Sequence, residues 1–328
     1  MADHAVDEYD GDIFIYRGGY APQHITHARI DKSVGEIERE AFLRCENLLT
    51  VETHDGIRRV GMWAFLICKS LRRINLKSAV EISCVAFDRC ENLECVEFGD
   101  RLETIGGSAF NGCVSLKYLK LPSIRIIAAS AFYRCKSLTN VELSERLETI
   151  DVQAFRRCER LQRIAIPLKR DLIPINQCLQ KCNQFDNCEQ LETVDLVGQA
   201  HTLTIASLHM ESWRTEMNTE INRINQVLPN TPADEKSDEI RQWMETVLDK
   251  MDHYKSEHYR YVKEGITLLE LAIWKTELGE KEEYAAEGKP KKAKVDDESV
   301  RKESRIACGA DMVIKNVLPF LQLVDNEN

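Results

Sequence analysis

The stretch Ile105-Gly-Gly-Ser-Ala109-Phe110-Asn-Gly-Cys113-Val-Ser-Leu116-Lys-Tyr-Leu119-Lys-Leu121 decides how this chain folds, because it is one of six near-copies. Ala-Phe recurs at 41–42, 64–65, 86–87, 109–110, 131–132 and 154–155, in steps that alternate between 23 and 22 residues. Three residues after each Phe stands a Cys: Cys45, Cys68, Cys90, Cys113, Cys135 and Cys158. Three further on comes Leu48, Leu71, Leu93, Leu116, Leu138 or Leu161, and then Val51, Ile74, Val96, Leu119, Val141 or Ile164. Four residues before each Ala lies Ile37, Val60, Ile82, Ile105, Ile127 or Ile150. A seventh, degenerate unit (Phe185, Cys188, Leu191, Val194, Leu196) follows an insertion at 167–184.

A unit of 22 or 23 residues is too short to bury its own apolar face, so it must stack on copies of itself. Within each unit the segment after the Leu alternates apolar and polar, as in Tyr118-Leu-Lys-Leu121, the pattern of a strand with one buried face. The Ala-Phe-x-x-Cys-x-x-Leu spacing predicts a turn of helix on the opposite side. Stacked at about 4.8 Å, the strands form a parallel ladder around a continuous core, with Phe at the centre of each rung. The fold class expected is an α/β repeat solenoid with a parallel ladder and short helical turns, followed by an all-α C-terminal hairpin or bundle.

Over residues 25–197 the pattern resembles the BspA-like leucine-rich repeats. The resemblance implies a solenoid used as a binding scaffold, with no catalytic residues in the repeats. Many such proteins are secreted or surface-displayed. This chain begins Met-Ala-Asp-His-Ala-Val-Asp-Glu-Tyr-Asp10, without a basic and then apolar leader, so the surface-adhesin role is not carried over. The C-terminal third, with Ile224-Asn-Gln-Val-Leu-Pro-Asn-Thr-Pro232 and Val313-Ile-Lys-Asn-Val-Leu-Pro-Phe-Leu321, looks like the tails of uncharacterised unicellular-algal repeat proteins.

Composition narrows the function class. The 328 residues are 43% hydrophobic and 30% charged, with a net charge of −10, which excludes collagen-like and wholly disordered chains. No run approaches the ~18 apolar residues of a membrane-spanning helix. The acidic balance disfavours broad nucleic-acid or anionic-membrane binding. Twelve cysteines suggest a disulfide framework at first, but no Asn-x-Ser/Thr sequon and no leader accompany them. An intracellular location, cytoplasmic or nuclear, is therefore expected. Seven cysteines share one phase of the repeat and read as a column of small buried side chains. Cys178-x₃-Cys182-x₅-Cys188 has a metal-like spacing, yet Cys188 belongs to the repeat and no His follows. His24-x-x-His27 lacks acidic or Cys partners nearby in sequence. No metal and no cofactor are expected.

The outward strand positions, second and fourth after each repeat Leu, are the natural binding surface of such a stack. They are Thr50/Glu52, Arg73/Asn75, Cys95/Glu97, Tyr118/Lys120, Asn140/Glu142, Arg163/Ala165 and Thr193/Asp195. Their sign alternates rung by rung, so the true period is a 45-residue double unit. Opposite charges on neighbouring rungs let the face neutralise itself and resist register slip. The same face offers a mixed-charge strip for a protein or peptide, with Glu52, Arg73, Asn75, Glu97, Tyr118, Lys120, Asn140, Glu142 and Arg163 as the candidate contacts. It lacks the one-signed field of a nucleic-acid groove.

The expected organisation is a tail and cap over 1–31, with Ile13–Tyr16 as a strand and Pro22–Ile30 as an irregular first rung, and a solenoid over 32–199. A helical region over 200–283, a charged linker over 284–298 and a last helix and tail over 299–328 follow. Met210, Trp213, Met217, Ile221, Ile224 and Leu228 make one helical stripe ending at Pro229. Thr231 and Pro232 are placed to start the next helix, continued by Ile240, Trp243, Val247, Met251 and Tyr254, with a kink expected at Gly265. These stripes are a helical core, and they leave room for end-capping or for self-association. Lys289, Lys291, Lys292 and Lys294 match a short basic import signal, the basis of an alternative reading as a nuclear adaptor. Phosphate loops, His-Glu-x-x-His, Gly-x-Ser-x-Gly and kinase motifs are absent from the sequence, so no catalytic residue is assigned. An enzyme would need a deep pocket with convergent polar groups.

Overall fold

The computed structural model describes residues 9–174, 183–208 and 210–286, with side chains to 275. Helix α1 takes Ala200–Ser207, α2 Glu211–Val227 and α3 Lys236–Ala286, and all the described strands precede them. A hairpin of β1 (Tyr9–Asp10) and β2 (Ile13–Tyr16) opens the ladder, turning at Gly11 with φ +63°. Strands then alternate between a front and a rear sheet. They run β3 (His27–Ile30), β4 (Glu36–Ile37), β5 (Thr50–Glu52), β6 (Arg59–Val60), β7 (Arg73–Leu76) and β8 (Glu81–Ile82). The series goes on through β9 (Cys95–Phe98), β10 (Thr104–Ile105), β11 (Tyr118–Lys120), β12 (Ile126–Ile127), β13 (Asn140–Glu142) and β14 (Thr149–Ile150). Front strands β15 (Arg163–Pro167) and β16 (Thr193–Val197) close it.

The rear sheet pairs in parallel from β4 to β14 in steps of one rung, whereas the front sheet pairs as two runs, β1-β2-β3-β5-β7-β9 and β11-β13-β15-β16. The seam between the runs coincides with Phe98, larger than the Leu76, Leu121 and Leu143 of the same phase and packed edge-to-face on Phe110 at 5.9 Å.

At the centre the repeat phenylalanines stack nearly parallel. Phe42, Phe65, Phe87 and Phe110 follow one another at 4.9–5.0 Å, and Phe110, Phe132, Phe155 and Phe185 at 5.3–5.8 Å. All are fully buried, with the Ala, Cys and Leu of the motif beside them. Tyr16 heads the column 5.0 Å from Phe42; burial raises its pKa to about 12, and its hydroxyl accepts the Glu38 N–H.

The segment opposite the front sheet corrects an expectation. It forms successive turns instead of a helical turn. Its N–H groups alternate: Ala41, Leu43 and Cys45 bond three residues back, while Phe42 and Arg44 bond forward to the Ala64 and Leu66 carbonyls of the next rung. A helix would turn every N–H inward and leave the rungs unconnected. The alternation requires a left-handed residue before each Ala and another two after each Phe, as at Glu40 (φ 61°) and Arg44 (φ 59°). A second finding is the rear sheet itself, built where the Ile or Val precedes the Ala. The period-3 spacing of the motif is compatible with both helix and turns, and the tertiary hydrogen bonds choose.

The cysteine column is more than small and apolar. From Cys68 onward each column thiol donates to the Phe carbonyl of the rung behind, as Cys90 does to Phe65, Cys113 to Phe87 and Cys188 to Phe155, each at 3.1 Å, while Cys45, in the first repeat, donates to the Pro22 carbonyl at 3.6 Å. Burial raises the Cys45 pKa to about 11 and lifts Cys68, Cys90, Cys113, Cys135 and Cys158 as well, so these thiols stay protonated. Incubating the native protein with a thiol reagent and mapping the peptides is therefore expected to label exposed Cys84 and half-exposed Cys95 and to spare the seven column residues until denaturant is added. Prompt native labelling of Cys113 would contradict the packing. Cys188 lies in the column, and Cys178 and Cys182 lie outside the described residues.

The chain divides into two compact units, and Glu216–Asp249 belongs to the same one as the ladder through His201. There it stands in for a further rung. Phe185 N–H, whose counterparts bond the carbonyl preceding the next rung's Phe (Ala in five rungs, Gln184 for Phe155), meets Ser237 Oγ at 2.9 Å. Lys236 Nζ reaches the Glu189 and Leu191 carbonyls at 2.9 and 2.6 Å. The Glu189 position is the one where Glu46, Lys69 and Val114 accept a backbone N–H from the following rung. Asn225 Oδ1 accepts the Val194 N–H of the last strand at 2.8 Å. Met217, Ile224, Leu228, Ile240, Trp243 and Val247 are buried, and Trp243 Nε1 donates to the Glu220 carbonyl.

Two helix expectations are corrected. Thr231 donates back to the Val227 carbonyl instead of capping α3, which starts at Lys236 after a turn over 232–235. The helix also runs through Gly265 unbroken, since a solvated glycine weakens a helix without ending it. In the second unit, Thr202–Thr215 with the helix from Lys250 onward, Trp213 stacks on Tyr254 at 4.9 Å. Leu268, Leu269 and Leu271 are exposed there.

Candidate functional site

Parallel pairing brings the outward residues of the front sheet into two columns. Thr50, Arg73 and Cys95 are in register, as are Tyr118, Asn140, Arg163 and Thr193. The second column holds Glu52, Asn75, Glu97, Lys120, Glu142 and Asp195. All nine candidate contacts, Glu52, Arg73, Asn75, Glu97, Tyr118, Lys120, Asn140, Glu142 and Arg163, are exposed. Ala165 departs from the pattern, being buried, and Thr193 and Asp195 are half-buried. The columns begin earlier than the repeats suggested: His27 Nδ1 lies 2.7 Å from Thr50 Oγ1, and Arg29 pairs with Glu52 at 2.5 Å. His27 and Arg29 come from the irregular first rung expected over Pro22–Ile30, whose outward positions the repeat phase did not mark.

The alternating signs neutralise one another across rungs. Glu142 stands between Lys120 (3.3 Å) and Arg163 (3.9 Å), and Arg163 also pairs with Asp195. Glu97 pairs with Lys77 at 2.8 Å, a hydrogen bond that lowers the carboxyl's pKa and raises the ammonium's. Exposed pairs of this kind contribute little to stability and open readily for a partner. At the seam, Tyr118 Oη lies 3.4 Å from Cys95 Sγ, a contact that raises the phenol's pKa, and the tyrosine is 52% exposed.

The rear sheet repeats the device, which the sequence reading did not pick out. Arg59 lies between Glu36 (3.6 Å) and Glu81 (3.3 Å), and Arg125 between Glu103 (3.8 Å) and Glu148 (2.7 Å). Its signal was present as Leu-Glu-Thr-Ile in alternate units with Arg125 between them. His24 Nε2 lies 3.5 Å from the Tyr9 hydroxyl, so the two histidines of His24-x-x-His27 face different partners. Among the described residues no three His, Cys, Asp or Glu side chains cluster as metal ligands, and no helix is long and apolar enough to cross a membrane. Lys289, Lys291, Lys292 and Lys294 lie outside the described residues.

Comparison with known proteins agrees with this geometry. A family model described as the BspA type leucine rich repeat region, in six copies, matches residues 14–124 and 80–211. Solved structures similar to the chain include a leucine rich cell surface protein from Faecalibacterium prausnitzii, 21% identical, covering 53% of this chain and 64% of that one with a TM-score of 0.36. A leucine rich repeat protein of T. pallidum is 24% identical over 45% of this chain and 82% of its own, TM-score 0.36. One from Bacteroides ovatus is 23% identical over 55% and 63%, TM-score 0.36. The chain thus spans under two thirds of the first of these, and no curated protein matches it. With the repeat matched over more than half its length, the chain belongs to the BspA-type leucine-rich-repeat family.

Proposed function

We propose that this protein is a non-catalytic docking scaffold whose front strand face binds a protein or peptide. Leucine-rich-repeat proteins generally serve interaction and are generally not catalysts. The observation that carries the reading is the exposed central Tyr118 amid a strip whose charges are held in weak, reversible pairs. Tyrosine presents a large rigid contact at small entropic cost, and rim charges lend orientation. The column of protonated, buried thiols accords with a reducing, intracellular compartment.

The test is quantitative affinity capture from cells with the wild type against a Tyr118→Ala/Asn140→Ala variant. Truncating these exposed side chains is expected to leave the melting temperature within about 2 °C. It should deplete specific partners at least tenfold. Equal recovery of every partner by both proteins would overturn the assignment to this face.

A further inference from the structure

The turn edge carries charge of a different kind from the two sheets. In each rung the residue two after Phe is left-handed and points outward: Arg44, Ile67, Arg89, Gly112, Arg134, Arg157 and Asn187. Only Gly112 has no side chain there. A Cβ built on it would make an ordinary 3.6 Å contact with Arg89 Cγ, so nothing steric demands glycine, and six other residue positions show that L-residues take this φ. The missing side chain leaves a notch of about 390 Å³, walled by Arg89 and Glu91 on one side and by Tyr133, Arg134 and Lys136 on the other.

Arg89 and Arg134 are exposed and leave rungs on the order of 10 Å apart, one on each side of the gap. Among the described residues neither makes an ion pair, whereas Arg59, Arg125 and Arg163 on the sheets each hold two carboxylates. Arg134 lies against the Tyr133 ring at 5.9 Å. Lys136 is paired with Glu159, and half-buried Asp88, outside the notch lining, feels the Arg89 charge and is hydrogen-bonded to Asn111. Three cations therefore line the notch against one carboxylate, Glu91.

We propose that this notch binds the phosphorylated side chain of a protein segment. Guanidinium groups converging from two sides match a phosphoryl dianion, which accepts several charge-assisted hydrogen bonds at once. The space exceeds what a bare phosphate fills, and the Tyr133 ring with Val114 supplies an apolar wall for the side chain carrying it. Glu91 and Glu159 interrupt the positive field along the edge, which suits one anionic group and disfavours a nucleic-acid backbone. The site lies away from the front face and stands whether or not that face docks a partner.

The experiment is fluorescence anisotropy with the full chain and a labelled heptapeptide carrying one phosphotyrosine between Gly/Ser flanks. It is expected to bind at least tenfold more tightly than its unphosphorylated twin, to weaken with added NaCl and to be displaced by inorganic phosphate at higher concentration. Gly112→Ile, which copies the residue Ile67 holds at the same phase, should fill the notch and reduce binding about tenfold. Arg89→Gln/Arg134→Gln should do the same without filling it, so a folding defect in one variant leaves the other decisive. Equal binding of the two peptides, inorganic phosphate binding as tightly as the phosphopeptide, stronger binding of a uridine oligonucleotide, or full retention of binding in a folded Arg89→Gln/Arg134→Gln variant would each overturn the proposal.

Discussion

Phe110→Ala is expected to lower the unfolding free energy by about 3–5 kcal/mol, the range of buried aromatic truncations. Phe110 is stacked between Phe87 at 5.0 Å and Phe132 at 5.3 Å, and it receives Phe98 edge-on. Removing its ring strips contacts from three neighbours at once and opens a cavity that the rungs cannot collapse to fill. Their spacing is held by the backbone bond from Phe87 N–H to the Ala109 carbonyl and its counterpart from Phe110 to Ala131. Because a solenoid transmits stability only between nearest neighbours, the damage should be local. Hydrogen exchange is expected to rise most in the rungs around Phe110, and thermal melting to fall. An unchanged melting temperature would refute the stacked column.

Lys236→Met is the second large effect, a loss of about 2 kcal/mol read by denaturant melts. The side chain is 2% exposed, and its ammonium donates to the Glu189 and Leu191 carbonyls at the open end of the ladder. Each buried carbonyl left without a donor costs about 1–3 kcal/mol, partly offset because methionine has no charge to bury. Burial also lowers the Lys236 pKa below its ordinary value. Between the folded and unfolded pKa values the unfolded chain binds more protons. Stability arising from this group therefore increases as pH climbs toward the normal lysine range. The gap between wild type and variant should accordingly widen over that alkaline window. A variant as stable as wild type would mean that Ser237 and Asn225 close the end by themselves.

The stacked core was legible residue by residue. Phe, Cys and Leu occupy one phase in every rung because a translational repeat imposes the same burial at each copy, and the sequence displays that burial directly. The two front-face columns were legible for a similar reason: alternation along a strand assigns each side chain to a face. The turns were not, because Ala-Phe-x-x-Cys satisfies an i, i+3 rule that helices and successive turns share. Residues such as Trp63, Val85 and Gln153 give no local hint of a positive φ. The notch at Gly112 escaped notice too, since a glycine in a turn reads as ordinary until the side chains stacked above and below it are placed.

The amino-acid order alone therefore determined the period, the core columns, the parallel stacking and the alternating charge of the front face. All of these are consequences of short-range pattern repeated without interruption. Tertiary structure decided what happens where the repetition stops or the pattern is degenerate. At the far end, Ser237, Lys236 and Asn225 supply hydrogen bonds to groups on the last rung from positions 31 to 52 residues away. No periodicity announces such partners, because any Ser, Lys or Asn on a helix could serve and only the docked backbone says which one does.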